Sequence, residues 1–126
     1  MKIKGISWVG IGTDSFAETL AFFTDVLGLP VAASGAQVAM LRAGPDQLVE
    51  IFGEGSPTSA LTSPPAIAFE VEDVEAARAE LIAKGVAIIG EIGRWNGFEW
   101  LYFRGPHDYV FAVKKTPAPG WEATAD

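Results

Sequence analysis

SWVGIGTDSFAETLAFFTDVLG, residues 7–28, runs from a strand through an acidic corner into an amphipathic helix and stops at a glycine. AIAFEVEDVEAARAELIAKG, residues 66–85, repeats that order in the second half of the chain. In the first copy, residues 5–12 alternate as a half-buried strand does, with Ile6, Trp8 and Gly10 on one face and Ser7, Val9 and Ile11 on the other. Thr13 or Asp14 caps the helix that follows, and Glu18 suits the positive end of its dipole. Phe16, Leu20, Phe23 and Leu27 recur at helical spacing, and Gly28 with Pro30 ends the run. In the second copy Ile67, Phe69 and Val71 share a strand face, Asp73 caps a helix that reaches about Lys84, and Gly85 stops it.

Three strands complete each copy. The first set falls at 31–34, 36–42 and 47–52, divided by Gly35 and by the turn Gly44-Pro45-Asp46. The second falls at 86–91, 98–104 and 109–114, with a turn over 105–108. QLVEIFG at 47–53 and DYVFAVK at 108–114 correspond as the last strands of the two halves. Residues 54–65, rich in Gly, Ser, Thr and Pro, read as the linker between module one (about 5–53) and module two (about 66–114). Residues 116–126 read as a tail in which Trp121 is either an anchor or a surface residue. The pattern predicts one α+β domain over 1–115: two tandem βαβββ modules forming a curved mixed-sheet cup with helices outside.

At 126 residues and 49% hydrophobic, the chain is long enough for one real core, whereas a half of about sixty residues would be marginal alone. The absence of cysteine excludes a disulfide framework and any thiolate metal site. With no leader pattern and no apolar run of spanning length, the expectation is a cytoplasmic protein with no membrane partner. Nine basic against sixteen acidic residues give a net charge of −7, which repels phosphate backbones and argues against nucleic acid.

DVLGL at 25–29, VEIF at 49–52, AFEVEDVEAA at 68–77 and YFRGPHDYVFAV at 102–113 give the duplicated pattern a family likeness. The chain resembles the vicinal oxygen chelate superfamily, the glyoxalase / bleomycin resistance / extradiol dioxygenase fold. Many members of that family hold a divalent metal with one side chain from the first and last strand of each module. The resemblance carries those positions onto Trp8, Glu50, Ala66 and Ala112. An indole N–H only donates and alanine offers no donor atom, so Glu50 alone could bind a cation, too few for a specific site. The expectation is no metal and no cofactor. His107 lies in the turn where the family usually carries an Asp-Pro-Asp-Gly type sequence, away from the cup floor.

Alternation puts Leu48, Glu50 and Phe52 on one strand face and Trp100, Tyr102 and Arg104 on another, and the resemblance turns both toward the cup. Trp8, Glu50, Phe52, Trp100, Tyr102 and Arg104 are therefore the candidate ligand-binding residues, with Trp95 and Phe98 near a loop beside them. Alanine at 66 and 112 would widen such a cup, and an aromatic wall with one carboxylate suits a planar or cationic organic ligand. Equally, the two tryptophans could fill space as packed core, and Glu50 could pair with Arg42 or Arg104. Three functions follow in order: a metal-free small-molecule binding protein that forms homodimers, as the bleomycin-resistance branch does; a metal-independent lyase or isomerase with Glu50 as catalytic acid or base and Tyr102 or Arg104 stabilising charge; and a non-catalytic dimeric interaction module.

Overall fold

Each copy of the repeat builds a four-stranded mixed sheet with a helix on one face. The computed structural model describes residues 1–121, so the last five residues of the tail expected from the sequence lie outside the described residues. The chain divides into two compact units, residues 8–66 and residues 1–7 with 67–121 of the described chain. The fold is α+β, as the repeat predicts.

In the first module β1 (Gly5–Gly12), α1 (Phe16–Ala21), β2 (Val31–Gly35), β3 (Val38–Gly44) and β4 (Gln47–Phe52) follow one another. Strand order is β2-β3-β4-β1; β1 and β4 run parallel, and the other two pairs are antiparallel. Ala39, Leu41 and Ile51 form a buried cluster on one face, where Phe16, Leu20, Phe23 and Leu29 pack against it. Period-2 alternation then sends Met40, Leu48, Glu50 and Phe52 to the other face, together with Trp8 and Gly10, which pair with Leu48 and Glu50.

The helix departs from the expected stripe at its end. Ser15 takes the N-cap position, and after Ala21 the chain widens into a π-helical turn, Phe22–Val26, in which Leu27 N–H bonds to the Phe22 carbonyl. The extra residue in that turn rotates Leu27 off the apolar stripe, leaving it 51% exposed, and Leu29 packs on the cluster instead. The segment expected as a linker is packed rather than loose. It carries a short 3-10 turn, Ala60–Thr62, whose Thr62 is buried and donates to the Thr58 carbonyl. A β-carbon on Gly10 would stand 2.8 Å from Thr62 Cγ2, and one on Gly12 would meet the Ser59 carbonyl, so both glycines permit that approach.

The second module repeats the plan with β5 (Ala66–Glu70), α2 (Val74–Ala83), β6 (Ala87–Trp95), β7 (Phe98–Arg104) and β8 (Val110–Lys115). Its order is β5-β8-β7-β6, with β5 and β8 parallel. Asp73 caps α2 as its position predicts, accepting from Ala76 N–H at 3.0 Å, and Gly85 follows with φ +81°. Val74 and Ala77 of α2 pack with Val71, Leu101 and Val113 over one face of the sheet. β6 is longer than its counterpart, and the β6–β7 register slips between Ile89 and Gly93. Asn96 and Gly97 close that hairpin with φ of 52° and 89°, the left-handed pair that two-residue hairpin turns favour.

Candidate functional site

The helix of each module covers one sheet face, which leaves the opposite face to carry any chemistry. In module one that face holds Trp8, Glu50 and Phe52, all named from the sequence. Trp8 is 6% exposed and donates its Nε1–H to Glu50 Oε1 at 2.9 Å, while its ring lies 6.2 Å from that of Phe52 at a tilt of 57°. The indole reaches Glu50 because it folds back along its own strand over Gly10, where a β-carbon would stand 2.6 Å from Trp8 Cζ2. This bond fixes the orientation of the half-buried carboxylate.

In module two the corresponding face is read from the strand register. Gly93, Trp100, Lys114 and Glu70 are successive partners across β6, β7, β8 and β5, and Ile89, Tyr102, Ala112 and Ala68 make the next such row. Trp100 and Tyr102 are half-buried, whereas Ala68 and Ala112 are buried methyls. Trp100 turns toward β6 over Gly93, which has no side chain in its way. Arg104 ends the same alternation but is exposed, and its Nη1 donates to the Asp108 carbonyl at 3.1 Å, bracing the hairpin tip. His107 stands at that tip, exposed, with φ +59°.

Two further features bear on this face, and the sequence reading did not name the first. Lys114 is 4% exposed, with its ammonium 5.0 Å from the centre of the Phe98 ring, a cation–π arrangement. Strand alternation was the available signal, since Lys114 stands two residues after Ala112 and directly opposite Trp100. The other is Trp121, expected as an anchor or a surface residue. It is 7% exposed and packs edge-on against Phe98 at 4.7 Å and Trp95 at 6.3 Å. Trp95 and Phe98 are cross-strand partners with rings 6.1 Å apart and nearly parallel. The aromatic cluster gains burial that neither hairpin nor tail would provide alone.

Glu70 has a structural task. Its carboxylate accepts from Ser7 Oγ at 2.7 Å, Thr116 N–H at 2.7 Å and Thr116 Oγ1 at 2.8 Å, joining β1, β5 and the chain after β8. Away from this face, hydrogen bonds from Arg94 to Glu99 and Glu75 raise the pKa of that guanidinium. These charges brace the β6–β7 hairpin against α2.

The metal positions implied by the family likeness do not fit a metal. Trp8 spends its N–H on Glu50, and Ala66 and Ala112 supply no donor. Among the described residues no three His, Cys, Asp or Glu side chains converge as a metal site would require. No described helix is long and apolar enough to cross a membrane.

The fold and these faces can be set beside known proteins. Residues 5–113 match the family described as the Glyoxalase/Bleomycin resistance protein/Dioxygenase superfamily. No curated protein matches in sequence. Among solved structures, the chain is similar to methylmalonyl-CoA epimerase from Mycobacterium tuberculosis, with 20% identity, TM-score 0.72, and coverage of 96% of this chain and 93% of that one. It is also similar to a hypothetical protein from Bacillus halodurans C-125, with 19% identity, TM-score 0.71, and coverage of 91% and 96%. An extradiol ring-cleaving dioxygenase from B. fuscum aligns at 18% identity and TM-score 0.71 over 93% of this chain and 34% of its own. Identities this low establish a shared fold and nothing finer.

Proposed function

This chain belongs to the glyoxalase/bleomycin resistance protein/dioxygenase superfamily, and we propose that within it the protein is a metal-free binder of a small aromatic compound. The observation that carries this reading is the module-two face, where half-buried Trp100 and Tyr102 stand beside the buried methyl of Ala112 in place of a metal-binding side chain. Exposed ring area next to small apolar residues accepts a planar molecule by stacking and burial. Each stacked ring adds about 0.5–1.5 kcal/mol beyond area burial, so Trp100 and Tyr102 together add about 1–3 kcal/mol before ordering costs. In this reading Arg104 flanks the module-two face, and the binding role expected for Trp8, Glu50 and Phe52 belongs to the module-one face by itself, where Trp8 also holds Glu50 in place. The protein acts as a cytoplasmic homodimer, with neither nucleic acid nor membrane as partner, in keeping with its net charge of −7.

The test is a panel of neutral, anionic and cationic naphthalene derivatives titrated against wild type, Trp100→Ala and Tyr102→Ala, with tryptophan fluorescence and thermal shift as readouts. Binding by wild type that weakens in both variants supports the proposal. A panel without effect on either readout, or one indifferent to both substitutions, refutes it.

A second reading, a metal-independent enzyme with Glu50 as acid or base, draws on the fixed orientation that Trp8 gives the carboxylate. An active preparation whose Glu50→Gln variant kept full turnover would exclude that mechanism.

A further inference from the structure

Beyond the end of β8, the chain does not leave the module-two face but returns over it. Thr116 is held by both its N–H and its hydroxyl on the Glu70 carboxylate. Pro117 then lies against the tip of the β6–β7 hairpin, where a β-carbon on Gly97 would stand 2.8 Å from Pro117 Cβ. Ala118, Pro119 and Gly120 are exposed, and Gly120, with φ +100°, turns the chain so that Trp121 drops into the cluster. Asn96 Nδ2, from the same hairpin tip, donates to the Trp121 carbonyl at 2.9 Å. The arrangement is a fixed hinge at Thr116, an exposed span of three residues, and a buried aromatic at the far end.

What that aromatic holds down is specific. Trp121 packs edge-on against Phe98, Phe98 is 2% exposed, and Phe98 lies over the ammonium of Lys114. Phe98, Trp100 and Tyr102 alternate onto one face of β7, so the cluster closes the end of the face that carries the half-buried Trp100. We propose that residues 117–121 are a strap over this face, that Trp121 is its catch, and that release of the strap frees Phe98, uncovers Lys114 and opens the face to small molecules. An exposed span with few buried groups opens at a lower free energy than the sheet beneath it, which gives the release its physical basis. The consequence for ligand entry rests on the binding reading above; the uncovering of Lys114 does not.

Access to Lys114 is measured directly by brief acetylation with N-hydroxysuccinimidyl acetate, followed by mass spectrometry of the ratio of Lys114 to its exposed neighbour Lys115. In the wild type Lys114 is protected. Trp121→Ala raises the ratio by about tenfold or more, Asn96→Ala raises it less, and Trp121→Phe restores most of the protection, as expected for a local opening. Hydrogen exchange at the Leu101 and Val113 amides stays at the wild-type level in all three variants. Unchanged acetylation in Trp121→Ala overturns the proposal. Loss of protection at Leu101 and Val113 overturns it too, because Trp121 would then be supporting the whole sheet. Since the probe needs no ligand, failure here leaves the binding reading standing, and a silent naphthalene panel leaves the strap standing.

Discussion

Gly93→Ala tests the seating of Trp100 through the sign of a stability change. Gly93 pairs with Trp100 across β6 and β7, and a β-carbon there would stand 2.5 Å from Trp100 Cζ2, about 1 Å inside van der Waals contact. The indole must therefore tilt off the sheet or the β6 backbone must yield, at a cost of about 1–3 kcal/mol. In an ordinary strand conformation with open space, the same substitution stabilises by about 0.4–1 kcal/mol, because alanine restricts the unfolded chain. The two cases differ in sign, so a urea midpoint with unchanged slope decides between them. The expected result is destabilisation with a shifted tryptophan emission spectrum. In a Trp100→Leu background, where the clashing ring is gone, Gly93→Ala is expected to be neutral or stabilising. Stabilisation by Gly93→Ala in the wild-type background would show that the indole does not rest on Gly93, and the argument for a seated aromatic wall would fail with it.

Further outcomes follow from named contacts. Trp8→Phe keeps the ring against Phe52 but removes the donor to Glu50, and is expected to cost about 1.5–3 kcal/mol, the range for hydrogen bonds to charged groups. Denaturant unfolding that matched wild type would contradict that role. Asp73→Ala removes the acceptor for Ala76 N–H at the start of α2 and should lower stability by about 1 kcal/mol, with Asp73→Asn retaining most of it. Equal losses in the two variants would point to charge rather than capping.

The repeat was legible because periodicity changes from 2 to 3.6 at the same place in both copies, and because Asp73 and Gly85 mark α2 at both ends. The faces were legible for the same reason: strand alternation correctly separated Glu50 and Phe52 from Val49 and Ile51, and Trp100 and Tyr102 from Leu101. What escaped depended on contacts between distant residues or on local changes of helical pitch. Leu27 fits the apolar stripe of an ideal helix, but a π-helical turn shifts the register before the chain reaches it. Trp121 stood open between anchor and surface residue, because it follows a Pro- and Gly-containing stretch, and its meeting with Phe98 and Trp95 decides for the anchor. Lys114 reads as a solvated charge at a strand end, and its burial depends on Phe98, sixteen positions earlier.

The two modules share a plan but have used their exposed faces differently. Each sets a tryptophan over a glycine, Trp8 over Gly10 and Trp100 over Gly93, and each indole leans on the sheet face opposite its own helix. In module one the indole is buried and its N–H is committed to Glu50, so substitutions there should register first in stability. In module two the indole stays half-buried beside Tyr102 and buried methyl groups, so substitutions there should register first in ligand affinity. Trp8, Ala66 and Ala112 offer no lone pair to a cation, so neither face is required to preserve a set of metal ligands. Once that requirement is gone, one face can consolidate as core while the other keeps ring area accessible. This divergence predicts that, of Trp8→Phe and Trp100→Phe, chemically the same change, the first lowers the urea midpoint more and the second weakens ligand binding more.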